Sequence, residues 1–219
     1  MDGEITHLLT DSRKITVLKG SVFFAIDGIR HDGHKYLEEV YKKGVRNFVV
    51  EKPVSLPDAN ILKVNSAIAA MQAITSYHRA RFDYPIICIT GSNGKTIIKE
   101  WLYKLLSPHR KIVKSPRSYN SQLGVPLSVW NIGDHHELGI FEAGISTTGE
   151  MERLEKVIKP TIGIFSNLGS AHDEGFSSHE QKAQEKAKLF IDSERVIYRK
   201  DNSVVDKLFL GKGFSWGFH

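Results

Sequence analysis

The chain has 219 residues, 41% of them hydrophobic, and a net charge of +5, so it can form one large domain or two small ones with packed cores. No apolar run approaches the ~20 residues that cross a bilayer, and the first residues lack the basic and apolar regions of a signal peptide. The single cysteine, Cys88, excludes an internal disulfide and fits a cytoplasmic location. Acidic and basic residues are interleaved, which argues against nucleic-acid binding, whereas the positive surplus suits small polyanionic substrates.

Residues 1–82 have the pattern of a small α/β domain. Short apolar runs predict strands, and apolar residues after Ser66 recur at helical spacing, with Ser66 as a possible N-cap. A polar segment leads from this helix into the next strand, so we place a domain boundary between residues 82 and 83. The predicted strands cover residues 22–26, 47–50 and 61–64, and the predicted helices cover residues 36–43 and 67–81.

Two polar clusters interrupt this first domain. One is Asp11-Ser12-Arg13, and the other is Gly-Ile-Arg-His-Asp-Gly-His over residues 28–34. Asp, Ser and Gly are common turn formers, so the residues themselves favour a structural interpretation as turns.

The chain is organised around residues 85–96, which read Pro-Ile-Ile-Cys-Ile-Thr-Gly-Ser-Asn-Gly-Lys-Thr. An apolar run predicts a buried strand, Gly91 and Gly94 enclose a tight turn, and a helix follows. A helix N-terminus attracts an anion, Lys95 adds a positive charge, and the Thr96 hydroxyl can bind Mg²⁺. The general phosphate loop has four residues between its first Gly and the Gly-Lys pair, and this chain has two. An ordinary strand-to-helix turn is therefore the alternative.

The helix after this loop is predicted to be amphipathic. Its polar face is expected to carry Lys99, Glu100 and Lys104. Its apolar face is expected to carry Ile97, Ile98, Trp101, Leu102, Leu105 and Leu106.

Three later segments carry residues with metal-binding chemistry. The apolar strand over residues 138–144 contains Glu142, whose carboxylate either binds a hard cation or simply reaches solvent. A second buried strand leads into a glycine-rich loop with His172, for which a structural role is the alternative. The helix over residues 178–191 is rich in lysine, which is typical of a solvated face. Other predicted elements are strands over 111–114, 161–166 and 196–198, and helices over 149–158, 203–208 and from near Pro126.

In their order along the chain, these motifs resemble those of the Mur ligases and their relative folylpolyglutamate synthetase. The matching segments are Asp-Ser-Arg with the later Asp-Gly-His, the short loop Thr-Gly-x-x-Gly-Lys-Thr, Asn-x-x-x-Gly-x-Pro from Asn120, Glu142, and Asn-x-Gly-x-Ala-His-x-Glu-Gly-Phe around His172. The resemblance implies an α/β fold. A small N-terminal α/β domain for the UDP-muramoyl-peptide (residues 1–82) would precede a mostly parallel-sheet, P-loop ATP-binding domain (residues 83–219), which is incomplete.

The resemblance also implies the cofactors ATP and Mg²⁺, with two metal sites, and a carbamylated lysine. Counting from the histidine motif places that lysine at Lys186, with Lys182 and Lys188 as alternatives. The residues expected to bind ATP are Gly91, Ser92, Asn93, Gly94, Lys95, Thr96 and Asn120, and those expected to bind the substrate are Ser12 and Arg13. The expected metal ligands are Thr96, Glu142, His172 and Lys186. The expected catalytic residues are Lys95, His172 and Lys186.

Residues 115–122, Ser-Pro-Arg-Ser-Tyr-Asn-Ser-Gln, are similar to family members that add D-alanyl-D-alanine to UDP-N-acetylmuramoyl-tripeptide and that some bacteria fuse to alanine racemase. The resemblance implies an ATP-dependent amide ligase of peptidoglycan synthesis that forms an acyl phosphate. A diamino-acid-adding Mur ligase, folylpolyglutamate synthetase and a non-catalytic fragment of a ligase–racemase fusion are the alternatives. We expect a fragment that is inactive by itself, because the family's third domain, which supplies the amino-acid acceptor site, has no counterpart here. A fused alanine racemase domain is likewise expected to be absent from this chain.

Overall fold

The computed structural model describes residues 4–28, 31–169 and 175–217. Contacts between Cα atoms divide the chain into two compact units, Met1–Ile74 and Thr75–His219. Each unit contains a parallel β-sheet together with helices, which confirms the predicted α/β class. Within the described ranges, no helix is long and apolar enough to cross a membrane.

The first unit is built on a four-stranded parallel sheet. Its elements are the strands β1 (His7–Leu9), β2 (Ser21–Ala25), β3 (Asn47–Val50) and β4 (Asn60–Lys63), and the helices α1 (Leu37–Lys42) and α2 (Ala67–Arg79), of which α2 continues into the second unit. The strands follow one another in chain order across the sheet. Phe23 on β2 packs edge-on against Phe48 on β3, with 6.4 Å between the ring centroids, and both side chains are buried. Strand β1 was not predicted, because three residues are too few to show an alternation.

Local sequence explains where the helices of this unit begin and end. Gly44 follows α1 with a φ of +105°, a conformation that side chains with a Cβ rarely adopt. Ser66 precedes α2, and its hydroxyl accepts a hydrogen bond from the Ala69 N–H at 3.2 Å, as the N-cap prediction requires.

The second unit is a six-stranded, all-parallel sheet flanked by helices. Its strands are β5 (Ile86–Thr90), β6 (Ile112–Lys114), β7 (Leu138–Glu142), β8 (Ile162–Phe165), β9 (Arg195–Arg199) and β10 (Gly213–Trp216). Its helices are α3 (Lys95–Leu106), α4 (Gly124–Val129), α5 (Glu150–Ile158), α6 (His179–Ala187) and α7 (Ser203–Phe209), with a short 3-10 helix, Lys188–Phe190, after α6. Cys88 on β5 is fully buried, and burial raises the pKa of its thiol far above the ordinary range, which keeps it unreactive.

The strand order of this sheet, β10-β9-β8-β5-β7-β6, places β5 between β7 and β8. The chain runs from β5 to one edge and returns through β7, and then crosses to the other side of β5 to form β8. In parallel α/β sheets, ligands bind beside the carboxyl ends of strands at such a reversal of strand order. Ile89 pairs with Glu142 on one side and with Ile164 on the other, so the three strand ends lie side by side.

The predicted faces of α3 are wrong at several positions. Lys99, assigned to the solvated face, is completely buried, because its ammonium group turns towards a carboxylate on β7. Only one apolar stripe packs on the sheet, and it consists of Ile98, Leu102 and Leu106. The second stripe is solvent-exposed and consists of Ile97, Trp101 and Leu105.

Candidate nucleotide site

The turn between β5 and α3 depends on two glycines with positive φ angles. Gly91 has a φ of +142°, and a Cβ there would lie 2.0 Å from the Ser166 hydroxyl oxygen. Gly94 has a φ of +81° and forms the N-cap of α3. The first N–H groups of a helix have no intrahelical acceptor, so the start of α3 can receive an anion as the sequence predicts.

Asn167, two residues after β8, shapes this loop and was not predicted to do so. Its carbonyl oxygen accepts the Ser92 N–H at 2.9 Å, and its side-chain Oδ1 accepts the Asn93 N–H at 2.9 Å. The Ser92 hydroxyl donates to the Gly169 carbonyl at 3.0 Å and accepts the Gly169 N–H at 2.9 Å. In this conformation the Ser92 and Asn93 amides therefore bond within the protein and fix the loop against the segment that follows β8.

Lys95 occupies the inside of the loop. Its ammonium group donates to the carbonyl oxygen of Gly91 at 2.7 Å and to that of Ser92 at 3.3 Å. Burial lowers the pKa of Lys95, and the nearby charge of Lys182 lowers it further, whereas Glu142 acts in the opposite direction. A half-buried ammonium at this point is a counter-charge available to a bound anion.

Thr96 and Glu142 meet although 46 positions separate them. The Thr96 hydroxyl donates to Glu142 Oε2 at 2.9 Å, and the carboxylate is completely buried at the end of β7. Lys99 donates to the other oxygen, Oε1, at 3.1 Å. A hydroxyl and a carboxylate oxygen beside an anion-binding helix terminus are the hard donors that Mg²⁺ prefers, so the residues fit this metal.

Two buried lysines of α6 contact the loop and the segment that follows β8. Lys186 is 2% exposed, and its ammonium group lies 3.5 Å from the Gly91 carbonyl oxygen. Burial lowers its pKa to about 7, with further contributions from the charges of Lys95 and Lys182. Lys182 is completely buried and donates to the Gly169 carbonyl. The prediction of a solvated lysine face fails here, since α6 turns these two lysines inwards.

Lys188, the third candidate for the modified lysine, points elsewhere. Its side chain is 46% exposed and pairs with Glu185 at 2.7 Å. Among these lysines, the ammonium group of Lys186 contacts the loop at the Gly91 carbonyl oxygen. His172, predicted as a metal ligand, lies outside the described residues.

Asn120 lies against the backbone that follows Glu142. Its carbonyl oxygen accepts the Gly144 N–H at 2.8 Å, and a Cβ on Gly144 would lie 3.3 Å from its Oδ1. The structure therefore places Asn120 beside the carboxyl end of β7.

Ser12 and Arg13, the predicted substrate residues, lie in the first unit. Ser12 is 5% exposed and its hydroxyl donates to Glu39 Oε2 at 3.2 Å. The side chain of Arg13 is 84% exposed and pairs with Asp11 at 2.9 Å. Hydrogen bonds from Arg13 lower the pKa of Asp11 to about 2.

The second polar cluster of this unit has a structural role at its described residues. Asp32 accepts hydrogen bonds from the backbone and the ring of His34. The other ring nitrogen of His34 accepts the Glu51 and Lys52 N–H groups at 3.0 and 3.2 Å. Asp32 and His34 therefore join the loop to the end of β3, as the turn interpretation expects.

Comparisons with known families match both parts of the chain. The family described as Mur ligase middle domain matches residues 89–211, and the one described as Mur ligase family, catalytic domain, matches residues 4–82. The curated UDP-N-acetylmuramoyl-tripeptide–D-alanyl-D-alanine ligase of Rickettsia prowazekii is 34% identical over 213 residues, which are 92% of this chain and 47% of the relative.

Solved structures give the same result. MurF from Acinetobacter baumannii superposes with a TM-score of 0.88 at 25% identity and covers 98% of this chain and 48% of its own. MurF ligase from Thermotoga maritima in complex with ADP superposes with a TM-score of 0.86 at 28% identity, covering 98% of this chain and 50% of its own. The chain thus spans about half the length of the relatives it matches.

Proposed function

Since the chain belongs to the Mur ligase family, we propose that it is part of an ATP-dependent ligase that joins D-alanyl-D-alanine to UDP-N-acetylmuramoyl-tripeptide. The curated relatives that it matches bear this name. The observation that carries the proposal is the meeting of Lys95, Thr96, Glu142 and Lys186 at three adjacent strand ends. These residues supply the positive charge and hard oxygen donors that a magnesium nucleotide needs.

The proposed reaction has two steps. A carboxylate of the tripeptide attacks the γ-phosphorus of ATP, which breaks the bond to ADP and gives an acyl phosphate. The amine of D-alanyl-D-alanine then attacks the acyl carbon, loses a proton, and expels inorganic phosphate as the amide forms. Lys95 and the N-terminus of α3 stabilise the charge on the transferring phosphoryl group. Mg²⁺ bound by Thr96 and Glu142 would neutralise phosphate charge.

Lys186 has the environment that carbamylation requires. An amine must be neutral to add to CO₂, and its lowered pKa makes a large neutral fraction available at neutral pH. The neutral amine forms an N–C bond to CO₂ as one C=O π bond opens and one proton leaves the nitrogen, so the side chain becomes a carbamate with one negative charge. We propose that carbamylated Lys186 and His172 hold the second Mg²⁺.

The remaining assignments follow the family resemblance. Asn120 and the loop residues Gly91, Ser92, Asn93 and Gly94 would contact ATP, which would require the Ser92 and Asn93 amides to leave Asn167 if they are to bind phosphate. Ser12 and Arg13 would bind the UDP end of the substrate, with residues 1–82 as the substrate domain and 83–219 as the ATP domain. An origin from a cytoplasmic ligase fused to alanine racemase is part of the same proposal.

Two calorimetric titrations, one with each ligand, test the proposed function, because each substitution should weaken the binding of one ligand and not of the other. We expect the chain to bind both Mg·ATP and UDP-N-acetylmuramoyl-tripeptide. Lys95→Ala should lower the Mg·ATP affinity at least about tenfold, since it removes a charged donor, and should leave the UDP ligand unaffected. Arg13→Ala should do the reverse. Failure to bind the UDP ligand, or Mg·ATP binding that does not depend on Lys95, would contradict the proposal.

A further inference from the structure

Lys99 is a completely buried lysine for which neither the phosphate loop nor the sequence pattern supplies a role. Its ammonium group donates to the Ser115 carbonyl at 2.9 Å, to the Arg117 carbonyl, and to Glu142 Oε1 at 3.1 Å. An ammonium has three donors, which these three acceptors can use in full, and Glu100 Oε1 lies slightly further away at 3.5 Å. Lys99 is therefore fixed and does not reach towards a ligand.

The acceptors of Lys99 are themselves held in place. The Ser115 hydroxyl is buried and accepts the Glu142 N–H at 3.3 Å. Arg117 has a φ of +47°, which is unusual for a residue with a Cβ and needs support from its surroundings. The lysine thus joins the segment after β6 to the carboxylate at the end of β7.

The two oxygens of Glu142 consequently have different surroundings. Oε1 is occupied by Lys99 inside the protein, and Oε2 faces the Thr96 hydroxyl at 2.9 Å. A carboxylate held in this way can offer one oxygen to a metal that binds beside Thr96, while its second oxygen stays with the lysine. Mg²⁺ needs near-octahedral geometry, which single-oxygen ligands satisfy, whereas Ca²⁺ also accepts two oxygens of one carboxylate.

We infer that Lys99 is a positioning residue that limits Glu142 to one metal-binding oxygen and so makes the nucleotide site select Mg²⁺ over Ca²⁺. The inference rests on the proposed magnesium-nucleotide site and adds its metal specificity. Removing the ammonium group frees Oε1, which permits two-oxygen binding of the larger cation and disfavours the smaller one.

The test measures ADP affinity by calorimetry in the presence of Mg²⁺ and, separately, of Ca²⁺. In the unchanged chain Mg²⁺ should strengthen ADP binding more than Ca²⁺ does. Lys99→Met should reduce the ratio of the two effects at least about tenfold. Lys104→Met, at an exposed lysine on the same helix, should leave the ratio unchanged. General damage to the fold would weaken binding with both cations alike and leave the ratio as it was, which would contradict the inference.

Loss of one partner of a buried ion pair is strongly destabilising, so Lys99→Met can fail to fold. A crystal structure of the unchanged chain with Mg²⁺ and ADP then decides the question. The inference predicts metal contact through Oε2 alone, with Lys99 still on Oε1. Contact through both oxygens, or a displaced Lys99, overturns it. If the unchanged chain binds no ADP with either cation, the proposed function fails. If Lys99→Met binds ADP with the same preference for Mg²⁺ over Ca²⁺ as the unchanged chain, only the role of Lys99 is refuted.

Discussion

At the scale of single residues, the site depends on charges that are buried against their ordinary preference. The charge of Lys182 lowers the pKa of Lys95, and the charges of Lys95 and Lys182 lower the pKa of Lys186. Lys99 is completely buried beside Glu142. Like charges brought together without a ligand destabilise the folded chain, and a polyphosphate would relieve this repulsion. Part of the chain's net positive charge is thus concentrated at this site.

Lys186 gives this electrostatic account a pH dependence. Its pKa is about 7 in the folded chain and about 10.5 in the unfolded chain, so between these values the unfolded state binds more protons and stability rises with pH. Thermal unfolding of the unchanged chain relative to Lys186→Met should therefore shift upwards by several degrees between about pH 7 and pH 10. Lys188→Met, at a half-exposed lysine, is the control without this trend. A constant difference between the chain and Lys186→Met over this range would mean that Lys186 is not desolvated.

At the scale of elements, helix α6 is held in place by one of its own carboxylates, which lies at the N-terminus of helix α5. Glu185 is buried, and its Oε1 accepts the N–H groups of Gly149 and Met151 at 2.7 and 3.3 Å. The carboxylate satisfies orphan donors at the N-terminus of α5 and interacts favourably with its dipole. Because Lys186 is the next residue, this contact also fixes the direction in which the neighbouring lysine points.

We predict that Glu185→Ala costs about 2 kcal/mol of unfolding free energy, since it leaves buried N–H groups without an acceptor. Chemical denaturation measures this cost. Glu180→Ala, at an exposed glutamate of the same helix, should change stability by less than about 0.5 kcal/mol. Equal effects of the two substitutions would show that the Glu185 contact with α5 contributes little.

The elements themselves were largely predictable from sequence where the chain is apolar. The runs that became β5 and β7 are buried on both faces, and β8 alternates buried with partly buried residues, so each carries a clear apolar run. Strand β10 was not predicted, because all of its residues are exposed and carry no burial pattern. The burial of Lys99 was also missed, since helical spacing cannot show a partner 43 positions away on another strand.

At the scale of the whole molecule, the site depends on strand order, which no local pattern contains. Residues near positions 92, 120, 142, 167 and 186 come together because β5 lies between β7 and β8. The family motifs indicated which residues to expect, but not that Asn167 would occupy two loop amides. Half of the length of the relatives lies outside this chain, so its capacity to bind ligand is the property that experiments on it can address.

The most direct test of the account is the effect of Mg²⁺ on ADP binding, measured by calorimetry on the chain and on Glu142→Gln. If Thr96 and Glu142 hold the metal beside the phosphates, Mg²⁺ should strengthen ADP binding at least about tenfold in the unchanged chain and have little effect in Glu142→Gln. ADP affinity without metal should be similar in both, and Glu152→Gln, at an exposed glutamate, should behave as the unchanged chain. A full Mg²⁺ effect in Glu142→Gln would contradict the account.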